Sequence, residues 1–453
     1  MKITEQKIKR KLSTSKTLAL GFLSVIVLGA FLLSTPLSSV SRSWTNPLVS
    51  LFTATSATCV TGLVVVDTGT YWSIFGQIVI LLMIQIGGIG FMALLSLLWM
   101  ALKRKINIGE RKILSAANGA MSSSNVTTLI KRIMIITFGC EILGAIILSF
   151  AFARDFGVGK GIYYGIFHSI SAFCNAGFDL FGGFKSLTDY VNNPLVCITI
   201  MVLIVVGGLG FIVWTDLYEN KFNFRKISLH SKIVLVTTAV LIIGPAILFY
   251  VFENDNVFSE LGTGSSIMAA LFQSITCRTC GMNTVDLSRL SDSSIIISTV
   301  LMVIGGSPGS TAGGIKTTTL AVLILSVIAV SRKKQDIVIG KRKLEPNVMT
   351  QASAILIFYM FLMVVASSVI MMVEHPQEIW TFRGVIFEVA SAIGTVGLSM
   401  IGTPTLSIAS KIIIMVLMFV GRLGALSIIF VISEGRANND DKLGRPQEKI
   451  LIG

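Results

Sequence analysis

Residues 52–62 read FTATSATCVTG, and the same frame returns as FHSISAFCNAG at 167–177, FQSITCRTCG at 272–281 and FEVASAIGTVG at 387–397. Each opens on Phe and closes on Gly, at separations of 10, 10, 9 and 10 residues, so the third is one residue short. A second signature follows each closing glycine after 25, 30, 24 and 24 residues: GGIG at 87–90, GGLG at 207–210, GGSPG at 305–309 and GRLG at 421–424. Self-similarity of this kind marks a repeat architecture. It predicts four copies of one unit: an apolar helix, a short amphipathic segment ending in a glycine turn, and a second apolar helix.

Working outward, periodicity and flanking residues place outer helices near 17–34, 128–152, 231–252 and 349–373. Short pore helices are expected near 44–57, 161–173, 265–276 and 380–392, and inner helices near 71–102, 194–218, 294–330 and 406–433. The pore helices are too short to cross a hydrocarbon core of about 30 Å and read as re-entrant. Non-helical backbone at membrane depth is tolerated only inside protein or along an aqueous cavity. Four glycine turns meet that condition together if they converge on one axis. The fold class is therefore an all-α integral membrane protein of four M1-P-M2 units in pseudo-four-fold order around one pore.

Composition agrees. Of 453 residues, 53% are hydrophobic and 13% charged, where soluble domains carry about 25% charged residues. The net charge of +14 does not point to nucleic acid, because the basic residues sit between apolar runs. They concentrate in 1–17, 100–132, 219–232, 331–345 and 434–453. Lys/Arg excess marks the cytoplasmic side, so both termini are expected inside. Asp155, Glu253, Asp255, Glu260, Glu374 and Glu378 mark the outside. Eight spans in the cell membrane follow.

The run 17–33 reads as the first of these spans, not as a cleaved signal peptide, since no small-residue cleavage site follows it. The expected parts are a cytoplasmic N-terminus (1–16), repeats at 17–112, 113–220, 221–345 and 346–433, and a cytoplasmic tail (434–453). The six cysteines lie in or near apolar segments and suggest no secreted disulfide framework. Nothing resembles a phosphate-binding loop, a dinucleotide fingerprint or a catalytic carboxylate pair, which argues against an enzyme. Any nucleotide dependence must come from another chain.

The glycine turns suit an alkali cation. A dehydrating cation needs a ring of oxygens, and backbone carbonyls supply them without fixed charge. Glycine reaches φ > 0 at no Cβ penalty and so turns a carbonyl toward an axis. The pore helices aim their partially negative C-terminal ends at the same place. The candidate filter comprises Thr58, Cys59, Val60, Thr61 and Gly62; Cys174, Asn175, Ala176 and Gly177; Arg278, Thr279, Cys280 and Gly281; and Gly394, Thr395, Val396 and Gly397. A transported K⁺ would be held there by backbone carbonyls.

On these stretches, above all TSATCVTGLVVVDTGT (55–70), IQIGGIGF (84–91), SAFCNAGF (171–178), IGGSPGSTAGGIKTTT (304–319), SAIGTVGLS (391–399) and FVGRLGALS (419–427), the chain resembles the Trk/Ktr/HKT superfamily of K⁺ transporters. It is most similar to the bacterial Ktr membrane subunits of KtrB/KtrD type, over residues 15–433. The resemblance implies a homodimer with one pore per subunit and Na⁺-stimulated K⁺ uptake. It also implies gating by a cytosolic RCK subunit, a KtrA/KtrC-like octameric ring that binds ATP or ADP. Many relatives carry Pro and Ala where this chain has Cys277 and Cys280, while Arg278 and Gly281 are retained. In plant relatives a serine at the first filter-glycine position accompanies Na⁺ transport, so four glycines favour K⁺. A Na⁺-conducting or weakly selective transporter is the alternative.

Two anomalies lie below the turns. Residues Gly305, Gly306, Ser307, Pro308, Gly309, Ser310, Thr311, Ala312, Gly313 and Gly314 fall inside the longest expected helix, where Gly costs about 1 and Pro about 3 kcal/mol against Ala. They read as a flexible intramembrane loop, a candidate gate, with a packing kink as the plainer alternative. Arg422 occupies the slot held by Gly88, Gly208 and Gly306, and an ionisable residue inside a membrane is a functional hypothesis by default. It reads as a gate element, and hydrogen bonds to the loop are compatible with that. Lys316 reads either as a gate partner or as a snorkelling residue.

Cys277-x-x-Cys280 lacks the companion ligands of a metal site. His168, His230 and His375 are scattered, and His168 is expected to be packed or hydrogen-bonded. Asp67 reads as a cation-concentrating group or as a loop cap. Glu141 and Glu388 read as hydrogen-bonded structural acids.

Overall fold

The computed structural model describes residues 14–90, 126–334, 336–339, 342–345, 347–374, 379–425 and 427–429. The expectations for the N-terminal stretch, for 91–112, for His375 and Glu378, and for the end of the last inner helix and the tail lie outside the described residues.

The chain is mostly helical. Among the described residues, four helices are long and apolar enough to cross a membrane: α1 (Thr14–Ser34), α5 (Val126–Phe156), α9 (Leu229–Glu253) and α13 (Asn347–Glu374). They expose Leu28, Phe31, Ile135, Phe150, Phe361 and Met372, while their buried sides mix large apolar residues such as Phe152, Phe249 and Tyr359 with Ser, Thr, Ala and Gly. Large apolar side chains on the outer face fit a surrounding solvent that is itself apolar, and small residues on the inner face allow close helix packing.

Each long helix packs on a short one: α1 on α2 (Pro47–Cys59), α5 on α6 (Val158–Phe173), α9 on α10 (Thr263–Thr276) and α13 on α14 (Phe382–Gly394). Two of the short helices, α2 and α14, start where a side chain supplies an acceptor for an orphan N–H group, whereas α6 and α10 follow Gly157 and Gly262 without a side-chain cap. Asn46 caps the Leu48 N–H at 2.9 Å ahead of Pro47, and Thr381 caps the Gly384 N–H at 3.3 Å. The boundaries of all four shift from the expected ones by a few residues, and in α2 and α14 the start is set by the cap rather than by the apolar pattern.

The inner helices differ most from expectation. They are α4 (Ile74–Ile89), preceded by the single turn α3 (Thr68–Tyr71); α7 (Pro194–Gly208) with α8 (Phe211–Glu219); α11 (Asp292–Val303) with α12 (Thr317–Ser331); and α15 (Ile408–Leu423). The expected unbroken helices at 71–102, 194–218 and 406–433 are corrected. α4 stops before Gly90 (φ +92) and α15 before Gly424 (φ +81), while α7 ends at Gly208 and the chain turns at Gly210 (φ +90) into α8. In these three signatures the last glycine takes a backbone conformation costly for other residues, at the point where the helix breaks. Between α7 and α8 the chain bends by 91°. The third inner helix is open from Ile304 to Lys316, slightly wider than the expected 305–314. A two-stranded pair, β1 (Val338–Ile339) against β2 (Arg342–Lys343), is a small departure from an all-α chain.

α4, α7, α11 and α15 each also pack on the short helix of the following unit: α4 on α6, α7 on α10, α11 on α14 and α15 on α2. The sequence of contacts closes on itself.

Candidate functional site

The four Phe residues that open the frames, Phe52, Phe167, Phe272 and Phe387, are all fully buried and anchor the short helices. Beyond them the four loops share one backbone path. Two residues before each closing glycine, an L-residue sits at positive φ: Val60 (+57), Asn175 (+60), Thr279 (+82) and Thr395 (+52). The glycines follow at +94, +72, +86 and +98 for Gly62, Gly177, Gly281 and Gly397. Alternating signs of φ swing successive carbonyls to one side of the strand. Non-glycine residues at positive φ are uncommon and cost energy. Their recurrence at one register in four loops is a built feature.

The glycines are mutual neighbours. A Cβ on Gly62 would stand 2.6 Å from Ala176 O, on Gly177 2.5 Å from Cys280 O, on Gly281 2.2 Å from Val396 O, and on Gly397 2.2 Å from Thr61 O. Each glycine thus faces the carbonyl preceding the next, and the fourth returns to the first. The backbones close into a ring in which no side chain fits.

A hydroxyl four residues after each Phe fixes every loop. Ser56 Oγ accepts from the Gly62 N–H at 3.1 Å and Ser391 Oγ from the Gly397 N–H at 3.0 Å. Ser171 Oγ donates to Phe178 O at 2.7 Å and Thr276 Oγ1 to Met282 O at 2.5 Å. The carbonyls of these residues accept from Thr61, Ala176, Val396 and Cys280 N–H at 2.7–3.0 Å. In the third loop this bond spans four residues instead of five, which is how the shorter frame closes on the same anchor. These hydroxyls are not among the residues expected from the sequence. Aligning the frames on Phe gives Ser, Ser, Thr, Ser in that column.

Some expected filter residues lie apart from the ring. Thr58, Cys59 and Gly394 belong to the last helical turn, and Cys174 caps α6. Arg278 is buried behind the third loop, lining a small cavity with Ile204, Val205 and Thr238.

Outside the ring opens a cavity of about 420 Å³, lined by Gly62, Gly177, Gly281, Gly397, Asp67 and Asp179 among others. Asp67 Oδ1 accepts from the Thr70 N–H and hydroxyl at 2.9 and 2.8 Å, and Oδ2 accepts from the Phe184 N–H at 2.9 Å. It caps α3 while lining the cavity. His168 donates from Nδ1 to Tyr164 O at 2.7 Å and accepts at Nε2 from the Leu180 N–H at 3.3 Å, stacked on Phe181. Glu141 accepts twice from Gln85 Nε2, at 2.9 and 3.1 Å, and Glu388 from Thr403 at 2.6 Å.

Away from that cavity, the first glycine of three signatures touches the end of its own short helix. A Cβ on Gly87 would fall 2.0 Å from Thr58 O, on Gly207 2.0 Å from Phe173 O and on Gly421 2.1 Å from Ile393 O. Here the 304–316 segment crosses. Thr311 Oγ1 donates to Phe173 O at 3.2 Å, and Lys316 Nζ donates to Ala312 O at 2.7 Å, closing the loop on itself rather than reaching for an interface. Arg422 donates from Nη1 to Thr311 O and from Nη2 to Gly87 O, with Gly88 O at 3.3 Å. No ion pair among the described residues includes Arg422. Its charge is met by backbone carbonyls from the first unit and from the loop.

The family model described as a cation transport protein, TrkH, matches residues 4–439. The chain is 38% identical to the potassium/sodium uptake protein NtpJ of Enterococcus hirae over the whole of both chains. It is 37% identical to the Ktr system potassium uptake protein B of Bacillus subtilis, over 97% of this chain and 96% of that one. Its fold matches the crystal structure of the potassium transporter TrkH from Vibrio parahaemolyticus with a TM-score of 0.72 at 17% identity, covering 95% of this chain and 87% of that one. The interrupted apolar helices and glycine-lined turns described above are thus those of a membrane transporter: the chain belongs to the TrkH family of cation transport proteins.

Proposed function

We propose that this protein is the ion-conducting subunit of a Ktr-type K⁺ uptake system in the cytoplasmic membrane. The observation that carries the reading is the closed ring of Gly62, Gly177, Gly281 and Gly397, whose neighbouring carbonyls offer oxygens without fixed charge. In this reading the chain is four M1-P-M2 repeats, 17–112, 113–220, 221–345 and 346–433, around a pseudo-four-fold axis, with eight crossings and both termini inside. The filter runs from Val60, Asn175, Thr279 and Thr395 to the four glycines. The loop Gly305–Gly314, with Lys316 and Arg422, is the gate. Relatives named for Ktr systems support a cytosolic partner, and we extend this to a homodimer, an RCK ring and Na⁺ stimulation.

The test is radiolabelled Rb⁺ uptake competed by Na⁺ in a K⁺-uptake-deficient bacterium. Gly62→Ser and Gly397→Ser should lower discrimination, because each Cβ meets a carbonyl of the next loop. Unchanged competition in well-expressed variants at both positions would sink the filter. A second reading, conduction of both Na⁺ and K⁺, rests on the E. hirae relative, named a potassium/sodium uptake protein. Weak competition between the two ions in the unmodified protein would oppose it, and near-equal competition would favour it.

A further inference from the structure

An unbroken α-helix would pair Val206 O with the Gly210 N–H, Gly207 O with that of Phe211 and Gly208 O with that of Ile212. At the bend between α7 and α8 these pairings are replaced. Val206 O accepts from Trp214 Nε1 at 2.9 Å. Gly207 O accepts from the Thr311 N–H at 3.3 Å and Gly208 O from the Ser307 N–H at 3.0 Å, while the Phe211 N–H donates to Gly309 O at 2.8 Å. Three of the four substitutes come from the 304–316 loop. Gly210 makes the bend possible: its φ is +90°, and a Cβ there would stand 2.7 Å from Pro308 O.

We propose that the bent second inner helix and the loop form one switch, and that Gly210 and Trp214 are positioning residues of the gate. The proposal rests on the gate reading given above and adds what holds the loop in place. If the loop leaves, two carbonyls and an N–H lose their partners at membrane depth, where unsatisfied backbone is not tolerated. The nearest replacements are those of the helix itself. Straightening α7 and α8 into one helix restores the normal pairing and withdraws the loop's seat in the same motion.

The motion also reaches the inner edge of the protein. α8 ends at Glu219, paired with Arg132 of α5. Asp216 accepts from the Ser228 N–H and hydroxyl at 2.9 and 2.8 Å, and from the Ser231 hydroxyl. Straightening must move these contacts, so a partner that presses on the 219–231 segment acts on the gate through the helix.

The test is Rb⁺ flux into proteoliposomes, paired with the distance between spin labels at positions 202 and 218, both exposed in this state. Gly210→Ala disfavours the left-handed bend. It should raise flux about fivefold or more, the lower end of typical coupling between sites, and lengthen the label distance. Trp214→Phe should act in the same direction more weakly. In a background lacking residues 306–313, which should itself raise flux and lengthen the distance, Gly210→Ala should add nothing. If that deletion raises flux while both point variants leave flux unchanged or lower it, the switch is wrong and the gate reading stands. If the deletion raises flux with the label distance unmoved, the coupling is likewise overturned. If the deletion does not raise flux, the gate reading itself has failed. Should Gly210→Ala not reach the membrane, Trp214→Phe and the label distance decide.

Discussion

The ring of glycine turns and the layer just beneath it are built on opposite plans. In the ring the four loops are alike: positive φ at the same two positions, a buried Phe, a hydroxyl four residues on, and a contact passed from each loop to the next. One layer below, the four equivalent signatures part ways. The first gives its Gly87 and Gly88 carbonyls to Arg422, the second gives those of Gly207 and Gly208 to the loop, the third opens into that loop, and the fourth supplies the arginine. Equal surroundings suit a spherical ion on an axis. Unequal surroundings suit a barrier with more than one position, because a bistable element needs partners it can exchange.

The largest effect should come from the ring. Substituting Ala at Gly177, Gly281 or Gly397 places a Cβ within 2.2–2.5 Å of a carbonyl oxygen of the neighbouring loop, at positive φ. Strain of about 1–3 kcal/mol per site translates into about a fivefold to hundredfold loss of Rb⁺ uptake, similar at all three positions. One position tolerating Ala while another abolishes uptake would break the equivalence of the loops.

Arg422 comes next, and it probes the unequal layer. Arg422→Ala should raise flux several-fold and weaken dependence on a cytosolic partner, measured in proteoliposomes with and without it. Arg422→Lys should not restore control, since a lone ammonium cannot fork between Thr311 O and Gly87 O as a guanidinium does. Equal behaviour of Lys and Arg would reduce the residue to a bare charge.

The hydroxyl column should give intermediate effects. Ser56→Ala and Ser391→Ala leave a buried glycine N–H without its acceptor, a cost of about 1–3 kcal/mol. A lower melting temperature in detergent and a reduced Rb⁺/Na⁺ preference should result. Thr276→Ser keeps the donor to Met282 O and should remain close to the unmodified protein in both measurements. Loss of stability with selectivity intact would make the column a brace for the helix end alone.

Lys316→Met should have the smallest effect, a modest rise in flux, because Nζ makes a single bond to Ala312 O within its own segment. A change as large as that of Arg422→Ala would mean that the loop is held chiefly from within.

The repeat, the short helices, the break at 305–314 and the unusual place of Arg422 could all be read from the chain. They depend on residue type and spacing: apolar runs, a recurring Phe-to-Gly frame, and Gly and Pro clustered where a helix was otherwise expected. What the chain alone did not disclose depends on which backbone and hydroxyl groups meet once the loops have folded back. GGLG at 207–210 looks like an apolar stretch that could stay helical. It bends because Ser307, Gly309 and Thr311 take over its backbone bonds. The Ser/Thr column is ordinary in a helix, and only the returning loop shows that Ser56 and Ser391 accept from a glycine N–H while Ser171 and Thr276 donate to a carbonyl. Arg422 is conspicuous in sequence, but its partners are carbonyls, which every residue carries and no residue type reveals. Local composition thus determined the elements of this protein, and tertiary contact decided how their unsatisfied backbone groups were shared.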